Sequence, residues 1–148
     1  MTDVFRKLTD AQLLALTIYG EARGESMAGK IAVGAVILER VDHRDWDGRT
    51  IHDVCLKPLQ FSCYNEKDPN FGKLMKIAEQ WDKAMSLDPA LNECYGIATG
   101  LLDGSILRTP EIAAANCCQY ATAAGAKAVK WDDKMTVVAR IGNHIFYA

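Results

Sequence analysis

The stretch that decides the fold runs from Thr9 to Arg40 and reads TDAQLLALTIYGEARGESMAGKIAVGAVILER. It opens on Thr9-Asp10-Ala11-Gln12, a capping box in which the threonine caps the first turn and Gln12 reaches back to it. Ala11, Leu14, Ala15, Ile18 and Ala22 then recur at helical spacing, so residues 9–23 read as a helix with Gly24 as its stop signal. Ser26 caps a second helix that runs to about Arg40. Its stretch from Ile31 to Leu38 is apolar on every side, so periodicity alone does not separate a buried helix from a buried strand. Length decides for a central helix, in which Gly34 would let another backbone approach closely.

Outward from this pair the chain stays mostly helical. Residues 42–70 are rich in turn signals, with Asp45-Trp46-Asp47-Gly48, Lys57-Pro58 and Asp68-Pro69-Asn70. They predict an irregular segment with one short helix near Ile51 to Cys55, the kind of segment that carries function on a rigid scaffold. A third helix over 71–87 presents Leu74, Ala78, Trp81 and Met85 as one stripe. Asp88 as cap and Pro89 at the first helical position open a fourth, which ends by Gly104. The alanine-rich stretch from Pro110 to Gly125 fits no single period. At the carboxyl end the period becomes two: Thr136 to Ile141, a Gly142-Asn143 turn, then His144 to Tyr147, a β-hairpin. No repeat or linker interrupts the 148 residues, so residues 1–148 read as one domain of α+β class, mostly helical with a small hairpin.

Composition narrows the function classes. Apolar residues make 49% and charged residues 24% of the chain, ordinary globular usage. A net charge of −2 and the lack of a basic tract remove the electrostatic case for nucleic-acid binding. No apolar run approaches the ~20 residues that span a bilayer, and no basic amphipathic tail suggests stable membrane association. Met1 to Lys7 lacks the basic-then-apolar layout of a secretory signal, which places synthesis in a cytoplasm. The five cysteines (Cys55, Cys63, Cys94, Cys117, Cys118) are odd in number and lack knuckle spacing, so buried reduced thiols are expected rather than disulfides. His43, His52 and His144 are scattered, with no His-Glu-x-x-His arrangement, and no metal site is expected.

Chemistry concentrates in Tyr19-Gly20-Glu21-Ala22-Arg23-Gly24-Glu25. Glu21 follows Leu14 by seven residues, which returns it to the apolar stripe of the first helix. A carboxyl facing a core is costly to ionise, so its pKa rises, as a glycosidase general acid requires. Spacing alone leaves a second reading open, a glutamate at a frayed helix end turned to solvent or paired with Arg23 or Arg40. Glu25 carries the same ambiguity and stands where it would favour the positive end of the second helix. Further on, Gln60, Phe61 and Ser62 join an amide, an aromatic ring and a hydroxyl in one loop, a set suited to an N-acetyl sugar.

Together these motifs resemble the SleB-type cell-wall hydrolases, which include spore-cortex-lytic enzymes and a number of phage endolysins. The resemblance rests on Tyr19 to Glu25 with Gly29 to Val41, on Gln60-Phe61-Ser62, and on Arg140 to Tyr147, and it spans about residues 11–147. It implies a lysozyme-like domain of the lytic transglycosylase kind. Glu21 would be the catalytic acid, and Glu25, Gln60, Phe61 and Ser62 would bind substrate. Relatives carry a stretch rich in histidine and aromatics where this chain has Asn116-Cys117-Cys118-Gln119-Tyr120, and there Tyr120 would take the aromatic place in the groove. The implied activity is cleavage of peptidoglycan glycan strands between N-acetylmuramic acid and N-acetylglucosamine, without a cofactor, by a monomer. A phage endolysin made in the host cytoplasm and acting on the wall after release fits these expectations. The alternatives are an amidase cutting between glycan and stem peptide, which would usually need a metal, and a wall-binding domain without activity.

Overall fold

A computed structural model of the chain describes residues 3–44, 48–117, 119–131 and 134–148, with the side chain of Val129 left aside. The expected turn at 45–47 and the thiol of Cys118 lie outside the described residues. Helix α1 spans Asp3–Arg6, α2 Asp10–Ala22, α3 Met27–His43 and α4 Ile51–Leu56. Helices α5 (Phe71–Glu79), α6 (Trp81–Leu87), α7 (Pro89–Asp103) and α8 (Pro110–Ala114) follow. Strand β1 (Gln119–Thr122), α9 (Ala123–Val129), β2 (Val137–Ile141) and β3 (His144–Tyr147) complete the chain.

Helices α2 and α3 form the centre, and their caps are those the sequence predicts. Thr9 Oγ1 accepts from the Gln12 backbone N–H while Gln12 Oε1 accepts from that of Thr9. Ser26 caps α3 through Gly29. The apolar stripe read for α2 is too narrow: Leu13 through Tyr19 are buried without a break, because α3, α4 and α7 surround the helix. Full burial of each leucine here is worth about 1.5–3 kcal/mol, so this helix anchors the core. In α3 the close approach at Gly34 comes from side chains rather than backbone. A Cβ there would lie 2.6 Å from Leu101 Cδ1 of α7 and 3.1 Å from Ile18 Cδ1.

Two expectations are corrected. The helix read over 71–87 is broken at Gln80, whose backbone (φ −133, ψ 54) leaves the helical region. The break lets α5 bury Phe71, Leu74 and Ile77 on the α1 side while α6 turns Trp81 onto Tyr95 of α7, rings 5.7 Å apart. The carboxyl-terminal hairpin is two strands of a three-stranded antiparallel sheet in the order β1-β3-β2. Strand β1 comes from the alanine-rich stretch and pairs Tyr120 with Phe146 and Thr122 with His144. Gly142 in the β2–β3 turn takes φ 57, a left-handed conformation that suits glycine. Asp88 and Pro89 open α7 as read, and Gly104 closes it at φ 84. The four described cysteines are free and buried.

Candidate active site

Glu21 is the penultimate residue of α2, and its surroundings follow from the residue before it. A Cβ on Gly20 would lie 2.9 Å from Cys63 Sγ, so glycine admits the 3-10 turn Ser62–Tyr64 against the helix. The turn is tied down by the hydroxyls of Tyr64 and Thr17, 2.7 Å apart, and by the edge-on packing of Tyr64 on Phe5. This brings the Gln60-Phe61-Ser62 loop beside Glu21. From the other side the sheet brings Tyr120, and a cleft of about 470 Å³ lies between them.

The cleft gathers Glu21, Gln60, Phe61, Ser62 and Tyr120, which the sequence singles out, with Arg40, which it offers only as a partner of Glu21, and Gln119, Trp131 and His144, to which it gives no role. Glu21 is the only carboxylate among its described lining residues. A larger depression of about 930 Å³, bordered by Asp10, Asp42, His52 and Arg108, shares no residue with the cleft. The smaller cleft is the better candidate because it holds a shielded acid with a defined hydrogen-bond donor.

That donor is Tyr120, whose hydroxyl gives a 2.5 Å hydrogen bond to Glu21 Oε1. Burial pushes the Glu21 carboxyl above the ordinary range. The Tyr120 hydroxyl, the Cys63 thiol and the Arg40 charge pull it back, and Asp68 pushes it up further. Burial next to this acid also drives the Tyr120 phenol well above its usual value, so it stays a donor. The Arg40 guanidinium lies over the Phe61 ring at 5.1 Å. Phe61 is 2% exposed and forms the floor of the cleft, while Gln60 and Ser62 face solvent at its edge. Leu59, 83% exposed at φ 67, completes this rim. Arg23, read as a possible partner of Glu21, instead donates to Asn70 Oδ1 and lies over the Tyr19 ring.

Glu25 is not in the cleft. Its carboxylate accepts from the Asn143 backbone N–H at 2.8 Å and from the Asn143 side-chain amide at 3.0 Å, across the β2–β3 turn. These bonds, led by the backbone one, hold its pKa below the ordinary range. Glu25, expected to bind substrate, is instead engaged by Asn143 and does not line the cleft. The sequence reading also passes over Glu39, Asp42 and His43, which share one face of α3 with ligand atoms within 4.8 Å of one another. Arg108 bonds Glu39 Oε2 at 2.5 Å and Asp42 Oδ2 at 2.7 Å, so a guanidinium stands where a cation would be held. None of the three lines the cleft.

The sequence pattern of the family described as Cell Wall Hydrolase matches residues 24–147. The chain belongs to that family. The match begins at Gly24, so it covers the Gln60 loop, Tyr120 and the sheet but starts three residues beyond Glu21. Among similar proteins, the spore cortex-lytic enzymes of Bacillus cereus and Halalkalibacterium halodurans are each 43% identical over 53 residues, 36% of this chain. That of Bacillus subtilis is 42% identical over the same length. The aligned stretch makes up only 20%, 16% and 17% of these relatives respectively, far less than their full length. Solved structures give wider coverage. The catalytic domain of the Bacillus cereus SleB protein superposes with a TM-score of 0.58 at 27% identity, covering 94% of this chain and 89% of that one. The catalytic domain of the germination-specific lytic transglycosylase SleB from Bacillus anthracis gives 0.60 at 26% identity, covering 94% and 93%. The mostly helical domain with its small terminal sheet is thus the SleB catalytic-domain fold.

Proposed function

We propose that the chain cleaves peptidoglycan glycan strands between N-acetylmuramic acid and N-acetylglucosamine, with Glu21 as its acid. The observation that carries this reading is one partly buried carboxyl, raised by its surroundings and held by Tyr120, in a cleft with no second carboxylate among its described lining residues. The Glu21 carboxyl gives its proton to the glycosidic oxygen as the C1–O bond breaks. The resulting carboxylate then takes the proton of the muramoyl 6-hydroxyl as O6 closes on C1, leaving a 1,6-anhydro end and the acid restored. Water does not enter, so a second carboxylate is not required. Gln60 and Ser62 at the rim hold the N-acetyl sugar by hydrogen bonds, and Tyr120 and Trp131 offer it ring edges.

The name of the Bacillus anthracis relative, a lytic transglycosylase, supports this version over hydrolysis. Mass spectrometry of digested sacculi tests it. The expected products carry 1,6-anhydromuramic ends; reducing ends with incorporated water would mean hydrolysis, and free stem peptides beside intact glycan would mean an amidase. An endolysin role adds a place to this chemistry: made in the host cytoplasm, the enzyme reaches the wall after release. Expression in bacteria with and without a holin tests that part, with lysis expected only when the holin is present.

A further inference from the structure

Glu25 stands outside the cleft yet is connected to it by an unbroken set of contacts. Both of its oxygens are held by Asn143 in the β2–β3 turn. The turn closes tightly on the carboxylate, since a Cβ on Gly142 would overlap Glu25 Oε1. The next residue, His144, has its Nδ1 3.6 Å from the same oxygen, buried and with no hydrogen-bond partner among the described residues. The His144 ring meets the Tyr120 ring edge-on at 5.2 Å, and His144 pairs with Thr122 in the ladder that carries Tyr120. Tyr120 in turn donates to Glu21. On the helical side, the Glu25 N–H bonds the Ala22 carbonyl, so the clamp starts from the same helix end that carries Glu21.

We propose that Glu25 is a positioning residue: by clamping the β2–β3 turn it fixes His144, and through His144 it seats the Tyr120 hydroxyl on the Glu21 carboxyl. This rests on the reading of Glu21 as the acid. The charged and titratable groups facing Glu21 are Tyr120 from β1, Cys63 and Tyr64 from the 3-10 turn, Arg40 from α3, Cys55 from α4 and Asp68 from the loop beyond. Facing His144 is Glu25, whose charge works against the burial that holds the imidazole below its usual range. Of the Glu21 partners, Tyr120 is the one the clamp governs, and its hydrogen bond favours the ionised form. Releasing the clamp loosens that bond, so Glu21 keeps its proton to higher pH.

The test is Glu25→Ala in the whole chain, with kcat against pH measured on purified sacculi. The expected result is a fall in kcat of roughly ten- to a hundredfold, the scale of a small misplacement at a catalytic group. The alkaline limb of the profile moves to higher pH, as it does in Tyr120→Phe, and the double variant is no slower than Tyr120→Phe alone. Glu25→Gln keeps an acceptor for the Asn143 N–H and restores both rate and profile relative to the alanine variant. A folded Glu25→Ala whose melting temperature drops while its alkaline limb stays in place overturns the proposal, as do losses that multiply in the double variant. If Glu25→Ala does not fold, Gly142→Ala crowds the same carboxylate and is read in the same way: a limb moved upward supports the clamp, and an unmoved one in a slower enzyme overturns it. Carbon-13 titration of the Glu21 carboxyl reads the clamp without catalysis. It must move upward in the clamp variants even if Glu21→Gln proves active and the acid has to be sought elsewhere.

Discussion

Tyr120 and Glu21 are 99 residues apart in the chain and 2.5 Å apart in space, hydroxyl to carboxyl oxygen. The contact joins the last turn of α2 to the edge strand of the terminal sheet, so the two halves of the cleft meet on the acid itself. Burial favours the protonated acid while Tyr120 favours the ionised one, and the balance sets where the Glu21 carboxyl ionises.

Removing that donor should move the balance one way. In Tyr120→Phe the Glu21 carboxyl loses a hydrogen bond that lowers its pKa, so the alkaline limb of kcat/KM moves to higher pH. The rate at the optimum falls, because the carboxyl is no longer held in one orientation. A profile that keeps its limb, or shifts to lower pH, contradicts the assignment of Tyr120 as the donor.

The same acid predicts a pH-dependent stability. Its pKa in the folded chain lies above the unfolded value of about 4.3. Its contribution to stability is therefore complete below that value and is lost as pH rises through the raised one. Glu21→Gln removes this loss. Melting temperatures measured between about pH 4 and pH 8 should show the variant above the parent at neutral pH, with the gap closing as the solution is acidified. A variant less stable than the parent at neutral pH would mean the carboxylate is welcomed rather than penalised where it stands.

Gln60 offers a cleaner probe of the sugar loop than Phe61. Phe61 is buried under Arg40, so its truncation mixes binding with folding; Gln60 is exposed at the rim. Gln60→Ala should lower activity about two- to twelvefold, the worth of one hydrogen bond of ~0.5–1.5 kcal/mol, with a melting temperature close to the parent's. Full activity in this variant removes the loop from the substrate site.

The thiols should be silent. Cys55, Cys63, Cys94 and Cys117 are free and buried, and burial pushes Cys55 up to about 12 and Cys94 up to about 11. Reductant should leave melting temperature and activity unchanged, and thiol reagents should act slowly on the folded chain. A marked drop in melting temperature under reduction would reveal a disulfide, whose loss costs about 2–5 kcal/mol.

What the sequence made legible was local. Thr9 and Ser26 announce α2 and α3, Asp88 and Pro89 announce α7, and Gly142-Asn143 announces the hairpin, because each signal lies within a turn of the structure it specifies. Glu21 could be placed on a buried helix face by counting from Leu14. Strand β1 could not be read in the alanine-rich stretch, since its extended state comes from pairing with β3 about 25 residues later rather than from its own composition. The break at Gln80 likewise reflects packing against two different helices, not a Gly or Pro signal. Glu25 looked like a helix-end charge because its partner, Asn143, is 118 residues away. Arg40 is legible only as a possible partner of Glu21, and His144 only as part of the terminal strand, because tertiary contacts alone bring both to the cleft.

Glu21 as the proton donor is tested most sharply by the lytic rate of Glu21→Gln on purified sacculi. The change keeps the side chain's shape and an acceptor for the Tyr120 hydroxyl, and it removes only the transferable proton. A general acid contributes about 10²–10⁴-fold in rate, so the folded variant should be at least about a hundredfold slower than the parent. A folded Glu21→Gln that releases glycan fragments within a few-fold of the parent rate would mean that the proton comes from another group.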